Sequence, residues 1–318
     1  DVRATRIEEA LDAGRIVLVA GFQGTSAYVR KDGEYEVHGN VTTLGRGGSD
    51  TTAVAIAAAL GADVCEIYTD VAGVFTADPR IVPDAKKLVH VSFEEMLEMS
   101  ASGAGVLQLR SVEYARNHGV RIHCRSSFDD GPGTFVLTEQ ETMERPLVTA
   151  VTHSTDEARV TLTGVPDTPG VAGRVFTALA DANVNVDMII QNEPATEGRL
   201  ADMSFTVPRD DEQGAVDALS PLLTEFGIGI QTDPEMGKVS LVGAGMKSHP
   251  GVAAKTFSVL GEAGVNIEMI STSPIKISCV VRAKDVPEAV RRLHAAFELG
   301  ADAIRREDVR GDHRPVVT

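Results

Sequence analysis

The feature that most constrains the fold is an internal repeat in the C-terminal half of the chain. Residues 160–192 (VTLTGVPDTPGVAGRVFTALADANVNVDMIIQN) and 239–273 (VSLVGAGMKSHPGVAAKTFSVLGEAGVNIEMISTS) share one pattern. From the Pro-Gly turn onwards, matching residues, such as Phe176 with Phe257, lie a constant 81 residues apart. Each copy has the order strand, Pro-Gly turn, amphipathic helix, two strands and a second helix, which predicts a βαββαβ unit. Two such units are expected to place their sheets side by side.

The N-terminal half alternates apolar runs with helical patterns, as in an α/β domain. Residues 15–20 (RIVLVA) predict a buried strand, and residues 26–39 predict a β-hairpin that turns at Asp32-Gly33. Further helices are expected near 5–13, 50–60 and 108–118, and further strands near 63–68 and 120–124. Strands separated by helices of this length predict a largely parallel sheet.

A helix is also expected directly after Ser92, because Ser92 and Glu95 have the spacing of a capping box. Met96 and Met99 follow at helical spacing and are predicted to lie in the core. The acidic side chains of Glu94, Glu95 and Glu98 are predicted to form a solvated helix face.

Length and composition suggest how the chain divides. At about 150 residues per domain, 318 residues indicate about two domains. The polar stretch with Pro and Gly before residue 146 indicates a linker. The predicted parts are an α/β domain at 1–138, a linker at 139–146, repeat units at 147–235 and 236–304, and a polar tail at 305–318.

Composition argues against several classes of partner. Thirty Lys and Arg against 46 Asp and Glu give a formal net charge of −16, which disfavours nucleic-acid binding. No apolar run is long enough for a membrane helix, and the first residues do not read as a signal peptide. Cys65, Cys124 and Cys279 are far apart, and the eight histidines lack ligand spacing, so neither a disulfide nor a metal site is expected. These features predict a cytoplasmic protein.

A glycine-rich segment, VTTLGRGGSDTT at 41–52, opens the predicted Ala-rich helix. Its glycines allow backbone N–H groups to approach an anion, and the helix N-terminus favours negative charge. Ser49, Asp50 and Thr51 are expected to cap the helix. Arg46 carries a guanidinium suited to a carboxylate or a phosphate. The alternative is an ordinary glycine turn with an exposed arginine.

A second segment, YTDVAGVFTADPR at 68–80, directly follows a predicted strand. Ligands bind at the carboxyl ends of strands in sheets of this kind, which places Thr69 and Asp70 well for binding. Phe75 could pack on a planar base, and Arg80 could reach phosphates. The alternative is a surface turn, which Gly73 and Asp78-Pro79 would also produce.

Together these two segments and the repeat resemble the aspartate kinases of the amino-acid kinase superfamily, which carry two C-terminal ACT domains. TTLGRGGSDTTA is close to a signature of that family, whereas YTDVxGVxTADPR is shared across the superfamily. The resemblance implies a three-layer α/β/α kinase domain of the carbamate-kinase type, followed by tandem ferredoxin-like ACT domains.

The resemblance also implies an activity and a set of site residues. Aspartate kinases use ATP and Mg²⁺ to phosphorylate the β-carboxylate of L-aspartate to 4-phospho-L-aspartate, the first step towards lysine, threonine and methionine. Arg46 would hold the substrate α-carboxylate. The same pocket would be lined by Thr43, Gly47, Gly48 and Ser49. The nucleotide would be framed by Thr69, Asp70, Phe75 and Arg80.

Three departures from the family pattern stand out. The K-[FY]-G-G-[TS]-S motif with the catalytic lysine is absent, which implies that the chain lacks the N-terminal part of the kinase domain and is inactive alone. Gly105 stands where the family usually has a lysine that contacts the nucleotide phosphates, with Arg80 or Arg110 as candidate replacements. Phe75 replaces the usual tyrosine.

In this family, ACT domains bind regulatory amino acids, here lysine and/or threonine. The resemblance places effector contacts in both copies, at Asp167, Pro169, Gly170, Asn185, Asp187 and Gln191 in the first and at His249, Gly251, Asn266 and Glu268 in the second. Asp187 would suit an effector ammonium.

ACT units of this family pair across subunits, so a homo-oligomer or an α₂β₂ assembly is expected. In the latter case Met143 could start a separate small subunit. The alternative function is a catalytically silent ACT-type subunit that senses amino acids.

Overall fold

The computed structural model describes residues 4–29, 35–141, 146–192, 200–249 and 251–300. The predicted turn at Asp32-Gly33, the possible start at Met143 and the tail at 305–318 lie outside the described residues. The chain forms two compact units. The first contains the residues up to 150 with 242–245 and the chain from 298 onwards. The second contains 151–241 and 246–297.

The first unit alternates helices and strands along most of its length. Its elements are α1 (Thr5–Asp12), β1 (Gln23–Val29), β2 (Tyr35–Thr43), α2 (Gly48–Leu60), β3 (Cys65–Thr69), β4 (His90–Ser92), α3 (Phe93–Ala101), α4 (Leu109–His118), β5 (Ile122–Ser126) and β6 (Thr134–Leu137). β1 and β2 form the expected antiparallel hairpin, with Gln23 opposite Thr43. The predicted helices are confirmed, and α2 begins two residues earlier than expected.

The main sheet of the first unit is largely parallel, as predicted, and contains one antiparallel pairing. Its order is β3-β5-β6-β4, in which β3 and β5 are parallel, β4 and β6 are parallel, and β5 and β6 are antiparallel. The antiparallel pairing follows from the short connection at 127–133, because a parallel return requires a crossover of about a dozen residues or more.

The predicted buried strand at 15–20 is wrong. The segment has no strand structure, and Ile16 and Leu18 are 100% and 99% exposed. A β-strand requires a neighbour for its backbone N–H and C=O groups. None of the described strands pairs with these residues.

Helices α2, α3 and α4 share one hydrophobic core with the main sheet. Met96 and Met99 are fully buried in it, as predicted. The capping box is present, since Ser92 and Glu95 exchange side-chain to backbone hydrogen bonds. Glu95 was expected on a solvated face and is instead buried, because its carboxylate is surrounded by hydrogen-bond donors from three segments.

The second unit confirms the repeat. Its elements are β7 (Ala150–Pro166), α5 (Val171–Asp181), β8 (Ile189–Gln191), β9 (Leu200–Pro208), α6 (Glu212–Phe226), β10 (Gly229–Val242), α7 (Val252–Glu262), β11 (Met269–Ser273), β12 (Lys276–Arg282) and α8 (Val286–Ala296). Both copies build one six-stranded sheet in the order β11-β12-β10-β7-β9-β8.

β10 ends the first copy and begins the second, so the proposed limit between residues 235 and 236 falls within one continuous strand. The two copies therefore share a sheet rather than merely abutting. The domain limits themselves stay predictions.

Candidate active site

The glycine-rich segment forms a tight loop that leads from β2 into α2. Gly45 and Gly47 have φ of 79° and 68°, in the left-handed region that favours glycine. Gly47 is the N-cap of α2, and no side chain caps the helix. The prediction of a cap from Ser49, Asp50 or Thr51 is therefore wrong. The Thr51 hydroxyl instead donates back to the Gly47 carbonyl.

This start of α2 suits an anionic ligand. The N–H groups of a first helical turn lack intrahelical acceptors and favour a carboxylate or phosphate. Arg46 and Ser49 are exposed beside it, and Thr43 is exposed at the end of β2. The substrate-pocket residues predicted from the sequence thus lie together on one short loop.

Glycine is required at two positions of this loop for reasons of space. A Cβ at Gly47 would lie 1.7 Å from Cγ of Gln108, and one at Gly48 would lie 2.8 Å from Cβ of Leu44. Gly48 is buried. A larger residue at Gly47 would therefore collide with the start of α4, and one at Gly48 would collide with Leu44 and Phe22.

The start of α4 contacts the loop through side chain and backbone. Arg110 Nη2 donates to the carbonyl of Leu44 at 2.8 Å and to that of Arg46 at 3.4 Å. The carboxylate of Asp50 accepts a hydrogen bond from the backbone of Gln108. Burial raises the pKa of Asp50, and this hydrogen bond partly offsets the rise. Sequence reasoning missed these contacts because no local pattern links residues so far apart in the chain.

The segment predicted to bind nucleotide, residues 68–80, begins where β3 ends. Thr69 Oγ1 donates to Asp70 Oδ1 at 3.1 Å, and the Ser127 N–H donates to the Thr69 carbonyl at 2.7 Å. Because α2 leads directly into β3 and packs on it, the start of the helix and the end of the strand lie on the same edge of the sheet. This edge carries both motifs.

Phe75 and Arg80 lie in the turns that follow. Phe75 is half-buried and forms an isolated β-bridge with Lys87. Arg80 is exposed, but its Nε and Nη2 donate to the Asp78 carboxylate at 3.0 and 2.7 Å. These hydrogen bonds raise the pKa of Arg80. A phosphate at Arg80 would therefore share the guanidinium with Asp78.

Sequence reasoning also missed a polar network on β3 and β5. Glu66 Oε1 lies 3.0 Å from His123 Nδ1 and 3.3 Å from Arg125 Nη1, and the Tyr68 hydroxyl donates to Glu66 Oε2 at 2.9 Å. The hydrogen bond from Tyr68, with those from His123 and Arg125, lowers the pKa of Glu66. His123 also stacks on Phe135 at 3.8 Å. The network thus links side chains of β3, the strand that ends at Thr69, to side chains of β5.

Gly105 is exposed, and no heavy atom lies within 4 Å of the position that a Cβ would take. The structure therefore has room for a lysine at this position. Of the two candidate replacements, Arg80 is paired with Asp78 and Arg110 with the loop carbonyls.

The predicted effector positions repeat in the second unit with matching geometry. Gly170 and Gly251 are the N-caps of α5 and α7, with φ of 96° and 104°, and neither helix has a side-chain cap. Asp167 and Pro169 are exposed in the turn before α5, and His249 is exposed before α7. Each helix therefore begins with N–H groups suited to a carboxylate. Pro250 lies outside the described residues.

Asn185 and Asp187 lie just before β8, whereas Gln191 is the last residue of β8. Asp187 is engaged by a buried cation. Lys238 Nζ donates to Asp187 Oδ2, and it also lies 2.9 Å from Glu157 Oε1. An effector ammonium at Asp187 would share this carboxylate with Lys238.

Glu268 in the second copy is more enclosed. Arg159 Nη1 donates to Glu268 Oε2 at 2.8 Å, and Asn266 Nδ2 donates to Oε1 at 3.1 Å. Arg282 donates to Asp233 at 2.6 Å and completes the network. Although burial opposes ionisation, the hydrogen bonds from Asn266 and Arg159 lower the pKa of Glu268.

In the described part of the chain, no helix is both long and apolar enough to span a bilayer. Those same residues contain no cluster of three or more His, Cys, Asp or Glu side chains that could hold a metal ion.

Comparison with known proteins agrees with this architecture. Residues 1–126 match the model of the amino acid kinase family, and residues 159–223 and 239–297 match models of the ACT domain. The chain is thus of the class that joins an amino acid kinase domain to paired ACT domains. It is 55% identical to an aspartokinase of Mycolicibacterium smegmatis over 95% of the chain and 70% of that protein. The chain belongs to the aspartokinase family, as its motifs predicted.

Solved structures support the same fold. The chain superposes on E. coli aspartokinase III, in complex with aspartate and ADP, with a TM-score of 0.73 at 29% identity. It superposes on the aspartate kinase of Clostridium acetobutylicum with a TM-score of 0.75 at 25% identity. These matches cover 92% of the chain, but only 63% and 66% of the two solved chains. The chain therefore spans a little under two thirds of their length.

Proposed function

We propose that this protein phosphorylates the β-carboxylate of L-aspartate with ATP and yields 4-phospho-L-aspartate. The observation that carries the proposal is the uncapped start of α2 behind Gly47, with Arg46 exposed beside it. An aspartokinase solved with aspartate and ADP has the same fold, which supports the choice of substrates.

Substrate binding follows from the charges of the loop. The first-turn N–H groups of α2 and the Arg46 guanidinium receive the α-carboxylate of aspartate, and Ser49 adds a hydroxyl. Gly47 and Gly48 allow the loop to adopt this form, because a Cβ at Gly47 would strike Gln108 and one at Gly48 would strike Leu44. The β-carboxylate is then left free for reaction.

The nucleotide side of the site is formed by Thr69, Asp70, Phe75 and Arg80. Phe75 offers an aromatic face, and Arg80 offers a cation that Asp78 holds in place. Bound ATP supplies the phosphoryl group, and Mg²⁺ neutralises the charge on its phosphates. The protein's own contribution is to hold the carboxylate and the nucleotide in line and to offset the charge that develops.

Replacement of Arg46 by alanine tests the substrate site. We expect aspartate binding, measured by calorimetry, to weaken roughly 10- to 100-fold, because a charge-assisted hydrogen bond of about 1.5–3 kcal/mol is lost. Arg6→Ala, an exposed arginine on α1, is the matched control and should bind aspartate normally. Absence of aspartate binding by the unmodified chain would contradict the proposal, as would an unchanged affinity in Arg46→Ala.

We also propose that lysine and/or threonine regulate the protein through the second unit. The uncapped helix starts behind Gly170 and Gly251 supply N–H groups for an effector carboxylate. The first copy is the better ammonium site. The Asp187 side chain is 43% exposed, whereas that of Glu268 is 17% exposed and held by arginine.

Thermal unfolding with either amino acid tests this regulation. At 100 times its dissociation constant, an effector should stabilise the protein by about 2.7 kcal/mol and raise the melting temperature. Asn185→Ala should lose most of this rise, and the repeat-equivalent Asn266→Ala should retain it. If neither amino acid shifts the unmodified chain, the proposal fails. Loss of the shift only in Asn266→Ala would move the site to the second copy.

We propose assembly through the ACT units because the outer strands of their sheet are exposed. β8 and β11 are its outer strands in the described part of the chain, and they expose Ile189 and Ile270 at repeat-equivalent positions. Open edges of this kind favour pairing with another sheet, in a homo-oligomer or an α₂β₂ complex.

A cytoplasmic location is proposed from the cysteines, because all three are free and buried. Burial raises the pKa of Cys65 and Cys124 to about 11 and that of Cys279 to about 12, which keeps the thiols protonated and unreactive.

A further inference from the structure

We propose that Arg110, supported by Gln108, is a positioning residue that fixes the backbone of the loop at 44–48 in its aspartate-binding form. The inference rests on the proposed aspartate site. Arg110 itself touches neither substrate in this scheme; it acts through the backbone that presents Arg46 and the α2 N-terminus.

The first support is the way in which Arg110 spans the loop. Its Nη2 donates to the carbonyls of Leu44 and Arg46, on either side of Gly45. Gly45 and Gly47 both have positive φ, and glycines lose the most conformational freedom on ordering. One guanidinium that bridges two carbonyls therefore restrains the part of the loop that would otherwise move most.

The second support is Gln108, which lies two residues before Arg110 and contacts the other end of the loop. Its side chain fills the space next to Gly47, where a Cβ would be only 1.7 Å away. Its backbone also hydrogen bonds with the carboxylate of Asp50, in the first turn of α2. The start of α4 thus holds the loop from Leu44 to Asp50 at several points.

The third support is the surroundings of Arg110. The residue is exposed and lies outside the hydrophobic core of the unit. Its loss should therefore leave the stability of the unit nearly unchanged and affect the loop itself. A phosphate-binding role, the other use for this cation, predicts a change in nucleotide affinity instead.

Three variants separate these roles: Arg110→Met removes the donors at similar length, Arg110→Lys keeps a donor, and Arg116→Met on α4 is the exposed control. The readouts on the full chain are hydrogen exchange of the amides at 45–50, calorimetry with aspartate, calorimetry with a non-hydrolysable ATP analogue, and the melting temperature.

We expect Arg110→Met to speed exchange at 45–50 and to weaken aspartate binding roughly tenfold, with the analogue affinity and melting temperature unchanged. Arg110→Lys should partly restore both the slow exchange at 45–50 and the affinity for aspartate. Arg116→Met should change neither. Unchanged exchange in Arg110→Met would overturn the proposal, and so would a loss of analogue affinity without a change in exchange.

The exchange comparison requires no aspartate. If the unmodified chain binds no aspartate, the proposed function fails while exchange still decides whether Arg110 holds the loop.

Discussion

Replacement of Lys238 by methionine is expected to destabilise the second unit by about 3–5 kcal/mol, because it leaves buried carboxylate charge without its partner. Lys238 is only 4% exposed, on β10, and Glu157 is buried beside it on the neighbouring strand β7. Asp187 supplies the second carboxylate. Methionine preserves the volume of the side chain, so the effect reports the lost charge and not a cavity.

The stabilisation that Lys238 provides should also depend on pH, and it should decrease in strong base. Burial favours the neutral amine, but the carboxylates of Glu157 and Asp187 outweigh it and raise the pKa of Lys238 above its ordinary value of 10.5. A raised pKa in the folded state stabilises the protein fully below 10.5. The stabilisation is lost as the pH rises through the folded-state pKa. The difference between Lys238→Met and the unmodified chain should therefore be constant near neutral pH and shrink only in strong base.

Hydrogen exchange of the amides in β7 and β10 under increasing urea measures this effect in the second unit alone, since a chain of two units need not unfold in one step. Lys284→Met, an exposed lysine before α8, is the matched control and should change stability by less than about 0.5 kcal/mol. Equal stabilities of the two variants would show that the ion cluster contributes nothing.

The second unit shows how far a sequence pattern can reach. The repeat predicted every α-helix of the second unit, because each depends on local periodicity and on the Pro-Gly turns. The closing strand of the second βαββαβ copy was also predicted, but the described residues after α8 form no strand. The repeat did not reveal the Lys238 cluster, whose members Glu157 and Lys238 belong to different copies of the repeat. That pairing depends on β7 and β10 being neighbours in the sheet, which is a property of the assembled fold.

The first unit shows more clearly what could not be predicted from the sequence. The run at 15–20 has the composition of a buried strand, but composition does not supply a hydrogen-bonding neighbour. The single antiparallel pairing of the main sheet follows from the short connection between β5 and β6, a length that the sequence displays. The error at 15–20 therefore concerns pairing between segments, not the preference of a segment.

In the candidate site, too, the local features were predicted from the sequence and the contacts between distant segments were not. Glycines at 45, 47 and 48, and the polar residues after β3, were found because their chemistry is local and recognisable. Gln108 and Arg110 were not assigned to the loop, because their contacts join segments more than 50 residues apart. The residues that hold a ligand-binding loop in place are therefore harder to recognise in a sequence than the loop itself.

Substitution of Glu95 is expected to have a similarly large effect, about 3–5 kcal/mol for Glu95→Ala, because several buried donors lose their acceptor. Glu95 is 6% exposed. Its Oε2 accepts from the backbone and the hydroxyl of Ser92, at 3.2 and 2.7 Å. Its Oε1 accepts from Thr149 Oγ1 at 2.6 Å and from the Ala244 N–H at 3.1 Å.

Glutamine at position 95 should not rescue this loss, and that outcome distinguishes the network from simple packing. Four donors face Glu95, and only a carboxylate accepts at both oxygens, whereas an amide would turn an NH₂ towards two of the donors. We expect Glu95→Gln to cost at least about 2 kcal/mol in urea unfolding of the first unit. The neighbouring Glu94→Gln should lose only about 0.3–1 kcal/mol of helix-dipole stabilisation. Equal losses in the two glutamine variants would mean that the four donors find other acceptors, and that Glu95 does not join α3 to the segments at 149 and 244.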